Sequence, residues 1–263
     1  MFISIFGAVS SAQAAINNFD GSPVDGCTLS HLTYSCDGSS SLSSSNDIAV
    51  ADGYTLQKTY GIITAAAVVA GVDSTIEGTL KATATVELGA HASMIGNLTA
   101  GTTAALGANA TMEGNLTAGS TAALGAGAYV DGDITATTTV ALGANAEMYG
   151  DIEAGTTVAL GANAELYGAI EAGTTVALGT HAFVEGNVAA GTTVALGANA
   201  EAGGNVTSTT STVTLGVDAV VMGTLNAGSA ATLGAGAYVC GDTEAVSATL
   251  GADAFVNQNM DAV

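Results

Sequence analysis

The sequence predicts an all-β protein, a single parallel β-helix of triangular section, with about eleven coils of one repeating length and undetermined handedness. Three observations carry this. Leu-Gly recurs at 88–89, 106–107, 124–125, 142–143, 160–161, 178–179 and 196–197, always at the same interval of about 18. A fixed short period of this kind is the mark of a solenoid. Within the repeat, counted from Gly as Gly-Ala-Asn-Ala-x-Val-x-Gly-Asn-Ile-x-Ala-Gly-Thr-Thr-Val-Ala-Leu, even positions are small or aliphatic and odd positions mostly polar. A sustained period of two means strand with one face buried. Finally, the repeat divides into three sixes, as at 160–165, 166–171 and 172–177, which gives three short strands and three corners per coil.

The chain divides into three parts. Residues 1–14 read as an export leader: an apolar stretch from Phe2 to Val9 runs into Ala12-Gln13-Ala14, the small-x-small pattern of a cleavage site. Residues 15–52 read as an N-terminal cap or docking segment, with Pro23, a serine-rich run at 39–45, and Cys27 and Cys36. Export into an oxidising compartment predicts a local disulfide between these two cysteines. Residues 53–263 are the repeat domain, with Gly53 read as the start of its first coil. Leu-Gly recurs at 215–216, 233–234 and 250–251, so one residue is inserted and one later deleted.

Each coil contributes a similar interior set; in the coil after Leu142 these are Met148, Ile152 and Val158. Two columns of Asn and Asp mark corners, one through Asp73, Asn109, Asn145, Asn163, Asn199, Asp218 and Asp253. The other runs through Asn97, Asn115, Asp133, Asp151, Asn187, Asn205 and Asp242. Both residue types tolerate left-handed backbone and bond to adjacent turns.

The phrases VALGANAELYGAIEA and EGNVAAGTTVALGANA resemble bactofilins, bacterial cytoskeletal proteins that form polymers. The resemblance spans about residues 63–262. It implies a bacterial β-helix that polymerises end to end without nucleotide; bactofilins are typically cytosolic, whereas this chain carries a leader. A similar phrase occurs in bacterial ice-binding β-helical proteins.

Charge narrows the partners. Lys58 and Lys81 are the only basic residues besides three histidines, against 23 Asp and Glu, for a net charge of −21. Nucleic acid needs a basic footprint, and phosphate-bearing nucleotides need Arg or Lys, so both are excluded as partners. The hydrophobic fraction of 48% and mean hydropathy of +0.47 exclude a disordered composition. No apolar run is long enough for a membrane span.

Little in the repeat suggests catalysis, and no enzyme and no cofactor are expected. His91 and His181 share the third position but lie five coils apart, or ~24 Å, too far to share a metal. Glu147, Glu165 and Glu201, with Glu153 and Glu171, form acidic columns. These read as solvated charge, with calcium bridging between coils as the sharper alternative. Three surfaces remain. Outward positions 5 and 7 carry Tyr129, Tyr149, Tyr167, Phe183, Tyr238, Cys240 and Phe255, a stripe that reads as a lateral interface. Position 15 carries Thr103, Thr121, Thr139, Thr157, Thr175, Thr193 and Thr212, a flat face suited to packing or to ordering water as ice-binding solenoids do. Val256, Met260 and Val263 lie in the last coil and read as a polymerisation interface. The expected function is a secreted structural protein that assembles head to tail with copies of itself, outside the cell or at its surface. The alternatives are an ice-binding protein and a surface adhesin.

Overall fold

The computed structural model describes residues 17–19, 27–36, 41–43 and 47–262. They form one sheet of 36 short strands, with no helix among them, wound into a parallel β-solenoid of about 12 turns. The leader expected over 1–14 and Val263 lie outside the described residues.

The coil 143–160 shows the design. Its strands are Glu147–Tyr149, Ile152–Ala154 and Thr157–Leu160, one on each of three faces. Each pairs in parallel and in register with the equivalent strands of the coils before and after, so that Ile134, Ile152 and Ile170 stack in one column. Stacking like on like is why the period must be held. A one-residue slip within a strand would turn every interior side chain outward.

The interior is narrower than plain alternation predicts. Ala146, Met148, Ile152, Ala154, Val158 and Leu160 are buried. Ala144, Gly150 and Thr156, at the other even positions, are only half-buried. Those three sit where the chain turns between faces, and a turn breaks the two-residue alternation. Six interior side chains per coil leave a slender core, supported by a ladder of backbone hydrogen bonds along all three faces.

Each corner uses a different device. At the first, the Asn and Asp column adopts left-handed backbone, with φ from 54° to 58° at Asp73, Asn109, Asn145, Asn163, Asn199, Asp218 and Asp253. His91 and His181 occupy the same conformation, at 58° and 57°. The second Asn and Asp column does not share it; in four of its coils the preceding glycine has positive φ, at Gly96, Gly114, Gly132 and Gly150. Its side chains instead form a ladder: Asn115 N donates to Asn97 Oδ1, Asp133 N to Asn115 Oδ1 and Asp151 N to Asp133 Oδ1, all at 2.9 Å. At the third corner, hydroxyls donate to the coil below. Thr156 Oγ1 reaches Thr138 O at 2.6 Å and Thr174 Oγ1 reaches Thr156 O at 2.7 Å.

The irregularities fall at corners. The extra residue of the coil 197–215 is taken up around Ser208, Thr210 and Ser211, where hydroxyls bond to Thr192 O and Gly191 O. The later deletion appears as a register shift between Ala227 and Ala230, so the core columns on either side stay aligned.

The parallel stack begins earlier than residue 53. Thr33–Ser35, Ser41–Ser43 and Ile48–Val50 already form a coil, stacked on strands of the next. That next coil is longer than the repeat, with Thr55 set against Thr75. Gly53, at φ 73°, pairs in position with Asp73 at the left-handed corner instead of opening the coil. The extra length forms a bulge between Gln57 and Ile62.

Candidate functional site

The coils carry no long insertion over 71–262, so the candidate surfaces are the outer faces and the two ends of the described stack.

On the third face the position-15 threonines stand in one register, from Thr103 through Thr121, Thr139, Thr157, Thr175 and Thr193 to Thr212. Ala105, Ala123, Ala141, Ala159, Ala177 and Ala195 run beside them, which makes the face flat. These threonines are half-buried, and their hydroxyls have no hydrogen-bond partner among the described residues. Short rigid side chains on paired strands leave nothing to disturb the plane.

The aromatic stripe on the first face resolves into two groups. Tyr129, Tyr149, Tyr167 and Phe183 form a ladder over four successive coils, with ring centroids 5.8, 4.6 and 5.9 Å apart. Tyr238 and Phe255 stack separately at 5.7 Å. Between the groups the column passes through Glu201, Gly203, Val220 and Met222, which carry no rings. Tyr149 and Tyr167 lie nearly parallel, so they cover each other's faces along the solenoid axis and turn their edges outward.

Each of these two phenols donates to the carboxylate two residues back, Tyr149 to Glu147 at 2.8 Å and Tyr167 to Glu165 at 2.7 Å. The hydrogen bond needs the phenol protonated, and the nearby negative charge opposes a phenolate. Tyr149 is therefore pushed up to about 12, first by its bond to Glu147 and then by desolvation in the stack. Tyr167 is raised for the same reasons, and Tyr129 chiefly by desolvation. Cys240 is a free, half-buried thiol on this face.

The second face carries a shallow groove of about 460 Å³ that sequence reasoning missed. Asp133, Asp151, Glu153, Glu171 and Asn187 rim it, above the strands of Ile134, Ile152 and Ile170. The available signal was small: Ala169 replaces the Asp or Asn of its column, and Ala189 follows Glu153 and Glu171 at position 11. Two short side chains make room. Glu147 pairs in register with Glu165, and Glu153 with Glu171. Among the described residues no group of three His, Cys, Asp or Glu is placed to hold a metal ion.

The two ends differ. In the last coil Val256 and Met260 hold interior positions but are only half-buried, whereas Val239 and Thr243, one coil earlier, are buried. Leu250 is 43% exposed although Leu233 in the same column is buried, and Phe255 is 52% exposed. At the other end Phe19 and Tyr34 are buried edge to face, 4.9 Å apart. Thr28–Ser30 folds back on Thr33–Ser35 as an antiparallel hairpin, and Cys27 is disulfide-bonded to Cys36 at its base. Sequence reasoning also missed Lys58, buried in the bulge, whose Nζ donates to Cys36 O at 2.8 Å. Its rarity was the signal, since burying a cation requires acceptors at hand.

No family model matches the chain, and no curated protein or solved structure matches it. The parallel β-solenoid therefore rests on the chain's own register, and no family follows from it. No helix among the described residues is long and apolar enough to cross a membrane.

Proposed function

We propose that the chain is an exported structural protein, not an enzyme, that assembles outside the cell or at its surface by stacking end to end with copies of itself. One observation carries the reading: successive coils are interchangeable units that pair in parallel and in register, and the last described coil leaves its interior positions only half-buried. Leu250, Val256 and Met260 are less buried than Leu233, Val239 and Thr243, the column-mates that another coil covers. A first coil of a second copy laid on this end extends three backbone ladders and covers that surface. Contacts between unlike ends do not close, so they give filaments, not rings. The resemblance to bactofilins supports the same mode of assembly.

Val256→Lys tests it by placing a charge inside the terminal coil only. Sedimentation with and without a thiol reductant should show assembly of the wild type in at least one condition and none of the variant in either. Equal assembly of the two would overturn the reading. A second reading rests on the third face, whose unbonded threonine hydroxyls form a flat array fit to order water against ice. Thermal hysteresis lost in Thr157→Lys would favour it.

A further inference from the structure

We infer that the Cys27–Cys36 hairpin is a redox-held plug that blocks end-on stacking until the disulfide is reduced. The inference rests on the stacking reading above and adds its control.

The geometry comes from comparing the ends face by face. At the C-terminal end the outermost first-face strand is Phe255–Val256, paired to Tyr238–Val239. To join a second copy it must pair in parallel with that copy's Thr33–Ser35, whose other edge is already taken by the parallel pairing with 55–57. The free edge is occupied by Thr28–Ser30, the one antiparallel partner among the described strands. Covering an open edge with chain is one way in which sheets stop further pairing, and a short antiparallel arm occupies the place that a parallel strand needs.

The other faces do not conflict. On the third face the outermost C-terminal strand is the stretch 247–250, with no strand beyond it among the described residues. Asn17–Phe19 of the next copy, which lies parallel to its own Ile48–Val50, has the direction and face to continue there and cover Leu250. On the second face, Met260–Ala262 meets Ser41–Ser43, whose described pairing lies on its far side only. Among the described residues only Thr28–Ser30 stands in the way.

That strand is weakly held without the disulfide. All three of its side chains are exposed, Leu29 at 40%, as is the turn residue Leu32 at 51%, and the side-chain bond to its partner strand, from Thr28 Oγ1 to Ser35 O at 3.3 Å, is itself exposed. A three-residue hairpin arm with no buried face is marginal in water. Its partner strand is held independently: Tyr34 is buried, Thr33–Ser35 pairs with 55–57, Cys36 N donates to Gln57 O at 3.0 Å, and Lys58 Nζ donates to Cys36 O. Reduction therefore frees the blocking arm and leaves the receiving coil in place. The chemistry is thiol–disulfide exchange. A thiolate of the reductant attacks one sulfur and displaces the other cysteine as a thiolate. A second reductant thiolate then releases the first cysteine, leaving two protein thiols and the oxidised reductant disulfide.

The test uses the full chain with Cys240→Ser, so that the one other thiol is absent. Sedimentation velocity compares the oxidised protein, the same protein in dithiothreitol, and a Cys27→Ser, Cys36→Ser variant. The expected result is monomer when oxidised and a several-fold rise in assembled mass in the other two. Hydrogen exchange should rise in 28–32 on reduction and stay unchanged through the coils from 71 to 245. Equal assembly in all three, abolished by Val256→Lys, overturns the plug and leaves stacking standing. No assembly in any overturns both. A rise in exchange through all coils means that reduction unfolds the protein, and that overturns the plug as well.

Discussion

Replacing Ile152 by Asp should cripple the solenoid, while the same change at Thr157, five residues on, should be nearly silent. Ile152 is buried between Ile134 and Ile170 in a column of like side chains. Removing it forfeits about 1.5–3 kcal/mol of apolar burial. Placing a carboxyl there without a partner adds a polar-burial cost of about 1–3 kcal/mol even if it stays protonated. The sum is about 2.5–6 kcal/mol, a large share of the ~5–15 kcal/mol that holds a typical domain together. Thr157 faces outward with its hydroxyl unbonded to any described residue, so Asp loses only some strand preference, under ~1 kcal/mol. Because each coil touches only its neighbours, Ile152→Asp should also split the melt into separate transitions for the coils on either side. Thermal circular dichroism of the two variants measures both effects. Equal melting temperatures, or one unbroken transition in Ile152→Asp, would refute the assigned interior.

Gly161→Ala should destabilise by about 1–3 kcal/mol, because a Cβ there would lie 2.6 Å from Ala144 N and Gly143 C, backbone that cannot give way. Gly53→Asn should be tolerated, since no atom lies within 4 Å of its Cβ position and Asn holds the same left-handed corner in other coils; unfolding midpoints that reverse this order would count against the corner assignments. In a spectrophotometric titration Tyr149 should ionise near 12, and Glu147→Ala should bring it back toward 10.0. Its raised value means that the neutral phenol is the form the fold favours, so this contribution is whole below pH 10 and lost as pH climbs through 12; an unmoved titration in the variant would remove the Glu147 bond as the cause. If the first face is a lateral interface, Cys240 should give a disulfide-linked dimer on non-reducing electrophoresis of assembled protein, and a thiol fully alkylated in that material would remove the cross-link.

The fold was legible because the solenoid repeats one solution, and a repeated solution shows as a period. Leu142, Leu160 and Leu178 line one column because each coil must match the last. The alternation marked the strands but not the turns, so Ala144, Gly150 and Thr156 looked interior until the triangular section placed them at corners. The two Asn and Asp columns looked alike in sequence, yet one supplies left-handed backbone and the other a side-chain ladder. Composition cannot separate those roles, since both draw on the same short polar side chain. The coil 33–50 was hidden because it has no Leu-Gly and the coil after it breaks the period. Its membership rests on pairing of Thr33–Ser35 with 55–57, a long-range fact. Of the surfaces, the threonine column was readable in full from the period. The aromatic stripe was readable only in part, because its break at Glu201 and Gly203 matters once rings must touch. The hairpin was signalled only by two cysteines, and the groove only by two alanines.

End-on stacking is tested most directly by electron cryomicroscopy of the protein assembled in dithiothreitol. Setting Thr33–Ser35 on Phe255–Val256 gives each subunit 13 first-face strands, and at ~4.8 Å spacing these predict unbranched filaments one solenoid wide with a subunit rise of roughly 62 Å. The strand ladder should cross each junction without a break, with Val256 and Met260 covered there. Discrete rods of that length at every concentration, or filaments joined along the first or third face with open ends, would contradict it.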